Sequence, residues 1–199
     1  MTIYVGPNPN TSSEFYVRIA ELNFVLTSDL TLTEVNGLTF DIFRTSGSNG
    51  WNQSMHSLFP FAAPCTIEFN KQAQAGGGDN GQSYAMIGWN EDPTTTSSYT
   101  DLDYASYPHR TDRYNVYHNG ARVQNSGLWS TSEKFYITYT TDGFIKHYNG
   151  STLLYSVNYG IGKTVYVDGS IYSPYEIYGG FTNVKIAKDR SWDGFGYGG

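Results

Sequence analysis

The stretch from Tyr114 to Tyr155 constrains the fold of this chain more than any other. It runs Tyr114-Asn-Val-Tyr-His-Asn-Gly120, then Phe135-Tyr-Ile-Thr-Tyr-Thr140, Thr141-Asp-Gly143, Phe144-Ile-Lys-His-Tyr148, Asn149-Gly150 and Thr152-Leu-Leu-Tyr155. Asn119-Gly120, Asp142-Gly143 and Asn149-Gly150 each sit between short runs of β-branched and aromatic residues. Asn-Gly and Asp-Gly supply the positive φ angles that tight hairpin turns demand. The stretch therefore predicts an antiparallel meander.

The rest of the chain carries the same period. Val5 to Ser13 is polar and proline-containing and reads as a loop or attachment segment. Phe15 to Leu26 favours strands over a helix, because β-branched and aromatic residues dominate and no capping box opens it. Thr31 to Val35 and Leu38 to Phe43 alternate around Asn36-Gly37, another hairpin. Pro64 to Phe69 reads as a strand, Gly76 to Gly81 as a hairpin tip, and Ser83 to Trp89 as a buried central strand. Asn90 to Asp101 is a polar loop. Leu102 to Tyr107 alternates with Leu102, Tyr104 and Ser106 on one face. Thr164 to Asp168 and Ser170 to Tyr172 read as a strand pair around Gly169, and Phe181 to Ile186 as a closing strand. The total, about ten to fourteen strands at sandwich spacing, predicts an all-β, antiparallel β-sandwich. Its parts are N-terminal strands and an attachment segment over 1–37, the sandwich over 38–190, and a Gly/aromatic tail over 191–199.

At 199 residues the chain suits one such core. Twelve Lys and Arg spread thinly through a chain of net charge −6 exclude a polyanion-binding surface, since phosphate neutralisation needs clustered cations. No nucleic acid is expected. Cys65 is the only cysteine, so no intramolecular disulfide can form, and it reads as a buried, inert thiol. The first residues lack the pattern of a secretion signal, and no run approaches the length of a membrane-spanning helix. Synthesis in the cytosol without membrane insertion is the expectation.

The order of motifs resembles the concanavalin A-like lectin/glucanase jelly roll. The residues that carry the resemblance are Gly50-Trp51, Met55-His-Ser57, Ile67-Glu-Phe69 and Met86-Ile-Gly88. They continue with Tyr114, Val116, Tyr117, Asn119 and Gly120, then Phe144 to Gly150, Val167-Asp168 and Ser170-Ile-Tyr172. Together they span roughly 38 to 187. The resemblance implies the sandwich; it does not choose a function, because this superfold hosts binders, hydrolases and lyases alike.

Chemistry must therefore be argued from side chains. The Glu-x-Asp-x-x-Glu set of laminarinase-like members is missing. Retaining glycoside hydrolysis needs two carboxyls about 5 Å apart, most simply at alternate positions on one strand. Asp101 with Asp103, and Glu91-Asp92, are the nearest approaches. Asp101 and Asp103 read better as a solvated edge or a weak calcium pair, the one exception to an expectation of no cofactor, and Glu91-Asp92-Pro93 as a turn. No Gly-x-Ser-x-Gly elbow accompanies His56, His109, His118 or His147, and His118 and His147 read as exposed strand-end residues. No zinc spacing or phosphate loop occurs.

What remains is aromatic surface. Eighteen tyrosines exceed what a core can bury with every hydroxyl satisfied, and Tyr or Trp rings among Asn, Asp and Ser are the usual carbohydrate platform. Tyr99, Tyr104, Tyr107 and His109 form the best cluster, flanked by Trp51 and Trp89. The expectation is a non-enzymatic virion surface, decoration or fibre protein that binds a glycan or cell-surface polysaccharide. It would sit beside other virion subunits and form a homo-oligomer. A glycan-cleaving enzyme of the same fold and a purely structural capsid or tail subunit are the rivals.

Overall fold

The computed structural model describes residues 16–17, 22–71, 84–94, 96–109, 113–127, 129–130, 132–172 and 180–188. Two antiparallel sheets pack face to face. One contains β1 (Phe24–Leu26), β4 (Ser54–Ser57), β14 (Thr164–Ile171), β7 (Ala85–Asn90), β8 (Tyr104–His109), β9 (Arg113–His118) and β10 (Ala121–Gly127) in that spatial order, with β5 (Phe61–Ala62) added alongside β14. The other is ordered β13 (Thr152–Asn158), β12 (Phe144–Asn149), β11 (Lys134–Tyr139), β6 (Cys65–Asn70), β15 (Phe181–Lys188), β3 (Phe40–Arg44) and β2 (Leu30–Glu34). A 3-10 turn, Tyr99–Asp101, lies in the connection from β7 to β8. The Gly76–Gly81 tip and the 191–199 tail lie outside the described residues, as do most of the first residues.

The hairpins fall at the predicted turns or, at Asn149-Gly150, one residue later, where Asn149 still pairs with Thr152 and the loop is Gly150-Ser151. Asn119 (φ 49°) and Gly120 (φ 70°) are both left-handed between the paired residues His118 and Ala121, as a type I′ turn requires. Around Asp142-Gly143 the loop is longer. Thr140 N–H donates to the Phe144 carbonyl, and only Gly143 takes a positive φ. The meander itself is divided. β9 and β10 belong to the eight-stranded sheet, while β11, β12 and β13 form a meander in the seven-stranded one. Period two reports which residues share a face but not which sheet a strand joins.

Gly169 also departs from expectation. Thr164 to Ile171 is one unbroken strand, in which Gly169 pairs with Met55 on one side and Ile87 on the other. A Cβ there would meet the Met86 carbonyl oxygen at 3.1 Å. The glycine marks a close approach of strands rather than a turn.

Between the sheets lie Ile87, Trp89, Val116 and Val167 from one side and Ile67, Phe69, Ile137, Ile145 and Ile186 from the other. Trp89 is wholly buried and its indole N–H donates across the core to the Ile137 carbonyl at 3.1 Å. That bond satisfies the one polar atom of the largest side chain in the core. β7 is buried along its whole length, the central strand predicted for it.

His147 is not an exposed strand-end residue. The alternation of β12 turns it inward, where it is wholly buried with Nδ1 2.9 Å from Ser106 Oγ, itself bonded to the Tyr114 hydroxyl. Its Nε2 has no hydrogen-bond partner among the described residues. Burial, helped by His118, pushes the imidazole down to about 3 from 6.5. The unfolded chain therefore binds a proton between these values that the folded chain refuses. Stability from this site is complete above about pH 6.5 and falls as pH drops through the window, by up to about 1.4 kcal/mol per pH unit. Replacing His147 with Gln is expected to shrink the difference in urea midpoint between neutral pH and a pH inside that window. An unchanged difference would show that other groups govern the acid response.

Candidate functional site

Outward positions of the eight-stranded sheet carry the candidate site. In β8, Tyr104 and Ser106 point into the sandwich while Ala105 and Tyr107 point out. In β7, Ala85, Ile87 and Trp89 point in and Met86 points out. Asp168 of β14, Gly88 of β7, Ala105 of β8 and Tyr117 of β9 lie in register across the sheet. Met86, Leu102, Ala105 and Tyr107 form a small apolar cluster on this outer face, with Trp51, Tyr84, Tyr99 and Tyr117 packed against it.

Tyr107 is the hub. Its ring stacks on His109 at 4.6 Å and meets Tyr117 at 5.7 Å, Trp51 at 5.8 Å and Tyr84 at 6.1 Å. Around it Trp51 contacts Tyr99 at 4.9 Å and Tyr172 at 5.4 Å, while Tyr84 contacts Tyr172 and Tyr99 contacts Tyr117. Most of these pairs are tilted or edge-to-face, the arrangements that aromatic quadrupoles favour, at about 0.5–1.5 kcal/mol each beyond burial. Tyr107 is only 9% exposed, but the surrounding rings remain half-buried.

Two devices hold the outlying rings. Arg44 is buried, and its guanidinium donates to the carbonyls of Ser46, Ser48, Gly50, Ile171 and Tyr172, the shortest bond being 2.6 Å to Tyr172. Asp29 sits 3.7 Å away as its counterion. The fork thereby ties the loop before Trp51 to the chain end of β14 that carries Tyr172. Tyr99 is held by the loop from β7. Glu91 N–H donates to Asp103 Oδ2, Thr96 N–H donates to Asp101 Oδ2, and Ser170 Oγ donates to the Ser97 carbonyl.

Of the six candidate residues, Trp51, Tyr99, Tyr107 and His109 thus come together, but Tyr104 and Trp89 do not join them. Tyr107 lies three steps, an odd number, beyond Tyr104 along β8, so the two rings face opposite ways. Tyr104, 6% exposed, stacks on His118 at 4.7 Å and meets Tyr159 at 5.3 Å inside. Leu102 precedes β8 and packs outside, not on the Tyr104 face. Asp101 and Asp103 each spend an oxygen on the loop backbone, and burial chiefly holds the Asp103 carboxyl above its usual range. No group of three His, Cys, Asp or Glu among the described residues is arranged to hold a metal. Asp168, deep on the same face, accepts from Asn90 Nδ2 and from Gly169 N–H, and burial pushes its carboxyl well above the usual range. Tyr84, Tyr117 and Tyr172 were not among the predicted residues. Tyr117 shares parity with Asn115, which signals its face; Tyr84 and Tyr172 stand together only because β7 and β14 pair.

No protein-family model matches the sequence, and no curated protein matches it. Solved structures do share its architecture. The SPRY domain of human HERC1 superposes with a TM-score of 0.53 at 13% identity, covering 84% of this chain and 100% of that one. The exoplasmic/lumenal domain of VIP36 in its Ca2+/Man2-bound form gives 0.55 at 10%, covering 94% and 85%. The carbohydrate recognition domain of Emp47p gives 0.53 at 12%, covering 92% and 99%. The sandwich is a concanavalin A-like jelly roll, the fold that the motif order resembles.

Arg44→Met should lower stability by about 2–4 kcal/mol, because several buried carbonyls lose a charged donor, and should weaken the near-ultraviolet dichroism of the packed rings. Arg122→Met, at an exposed site, is expected to stay within about 0.5 kcal/mol of the wild type. Equal effects from the two in chemical denaturation would remove Arg44 from the account.

Proposed function

We propose that the protein is a non-enzymatic carbohydrate-binding module and that the aromatic outer face of the eight-stranded sheet is its binding surface. The observation that carries this reading is the convergence of Trp51, Tyr84, Tyr99, Tyr117 and Tyr172 around Tyr107 on one solvent-facing patch. Aromatic planes take the C–H faces of sugar rings, while nearby amides and hydroxyls orient the sugar hydroxyls. Asn115 and the Ser98 to Asp101 turn border the patch. Asp101 and Asp103 are engaged by the loop backbone, which favours binding over bond cleavage. The shared fold with the VIP36 and Emp47p domains is consistent with this use. In the virion setting expected from the sequence, several copies on one particle would turn weak single contacts into avidity.

Trp51→Ala and Tyr99→Ala are each expected to weaken glycan-array binding by about three- to tenfold, the value of one aromatic contact, with cooperative unfolding retained. Trp89→Ala, by contrast, should cost about 3–5 kcal/mol of stability as a core cavity. Unchanged binding in both surface variants would refute the aromatic face and favour a structural subunit whose rings pack against neighbours.

A further inference from the structure

We propose that a second saccharide subsite lies on the same sheet face, beside β4 and β14, so that the ligand is an extended, non-acidic oligosaccharide rather than one terminal sugar. The proposal rests on the carbohydrate-binding reading and adds to it a second contact, a minimum ligand length and a charge class.

A pocket of about 250 Å³ is lined by His56, Leu58, Glu91, Asp92, Thr94 and Tyr166 among others. That is below the roughly 300–1,000 Å³ of a drug-sized ligand site, and suits a single ring. Its wall and floor are outward residues of the sheet that bears the aromatic patch. Val165 and Val167 enter the core, so Tyr166 between them faces out; Met55 enters the core, so His56 beside it faces out. Half-buried Tyr166 and exposed Leu58 supply apolar surface. The Glu91 and Asp92 carboxylates, both exposed, accept hydrogen bonds from hydroxyls.

Two acidic residues alone would be a solvated turn, which is how they read in the sequence. What distinguishes them is that the loop leaving β7 builds both places. Its first residues, Glu91 to Thr94, wall the pocket, and Tyr99 farther along it enters the aromatic patch. Tyr166 is paired with Asn90, and Tyr107 stands one strand beyond β7, toward its other end. Two strand spacings across and four residues along place these tyrosines about 16 Å apart at the backbone. A single sugar cannot reach both; a short chain crossing the loop can. The charge class follows from the lining. Glu91 and Asp92 at the pocket, with Asp101 and Asp103 between it and the patch, repel uronate and sulfate groups and tolerate hydroxyl or amino substituents. Lys163, 3.9 Å from the Glu91 carboxylate, partly offsets that field.

The test is calorimetric titration with cello-, manno- and chito-oligosaccharides from monosaccharide to hexasaccharide, and with oligogalacturonates, on wild type, Trp51→Ala, Tyr166→Ala and Glu91→Gln. The wild type should bind a neutral series with affinity that rises with length, and should not bind oligogalacturonates. Tyr166→Ala should erase the gain from length, about tenfold at the hexasaccharide, while short oligomers bind as before. Glu91→Gln, on an exposed side chain that does not threaten folding, should reduce the same gain. Trp51→Ala should weaken every length. If the wild type binds but Tyr166→Ala and Glu91→Gln match it at all lengths, the subsite is overturned and the aromatic face stands. If the wild type binds none of the neutral series, both are overturned.

Discussion

Trp89 and Met86 stand three residues apart on β7, and that odd number of steps separates the core of this protein from its candidate surface. A strand residue has one face. Trp89 therefore closes the sandwich and bonds to the Ile137 carbonyl of the opposite sheet, while Met86 floors the outer aromatic patch. The same rule in β8 sends Tyr104 inward and Tyr107 outward. Because the inner face of each strand is locked by close packing, its outer face cannot turn or slip, and a slip of one residue would exchange the two faces entirely. The outer rings inherit the rigidity of the core.

That inheritance bears on binding. Tyr107 is almost wholly covered by its neighbours, so it acts as a post around which the other rings are set at fixed angles. Arg44 does the same for the irregular segments, joining the carbonyls before Trp51 to that of Tyr172 through one planar group. A surface whose rings are already in place loses little rotamer freedom when a ligand arrives, which is how modest contact areas yield useful affinity. The buried polar groups serve the same end. Asp168 with Asn90, and Ser106 with His147 and Tyr114, are hydrogen-bonded sites where burial outweighs the charged form, so they favour one arrangement near neutral pH.

Much of the fold is legible in local sequence. Asn119-Gly120 announces its hairpin through backbone preference, whereas at Asn149-Gly150 the turn falls one residue later, on Gly150-Ser151, because Asn149 still pairs with Thr152; Ser83 to Trp89 reads as a central strand because no charged residue breaks it. The sheet to which each strand belongs is not local information, which is why the meander divides between sheets after β10. The candidate site is legible in part. Tyr107 and His109 share parity and are found together, but Tyr104 could have been set aside by counting residues along the strand already drawn through it. Trp89, likewise, belongs to the strand that reads as buried. Tyr84 and Tyr172 need the pairing of β7 with β14, a contact between distant segments that no short pattern records. His147 misleads for a different reason: a residue next to a turn is exposed only if its parity allows, and here β12 faces it inward.

The central claim is that the outer face of the eight-stranded sheet, through its aromatic patch, meets the ligand. Hydroxyl-radical footprinting with and without a bound neutral hexasaccharide tests it directly, since oxidation reports each aromatic side chain separately. The account predicts protection at Trp51, Tyr84, Tyr99, Tyr117 and Tyr172, with Trp89, Tyr114 and Tyr139, all buried, unreactive in both states. Protection confined to other residues, with these five as reactive in the complex as in the free protein, would contradict it.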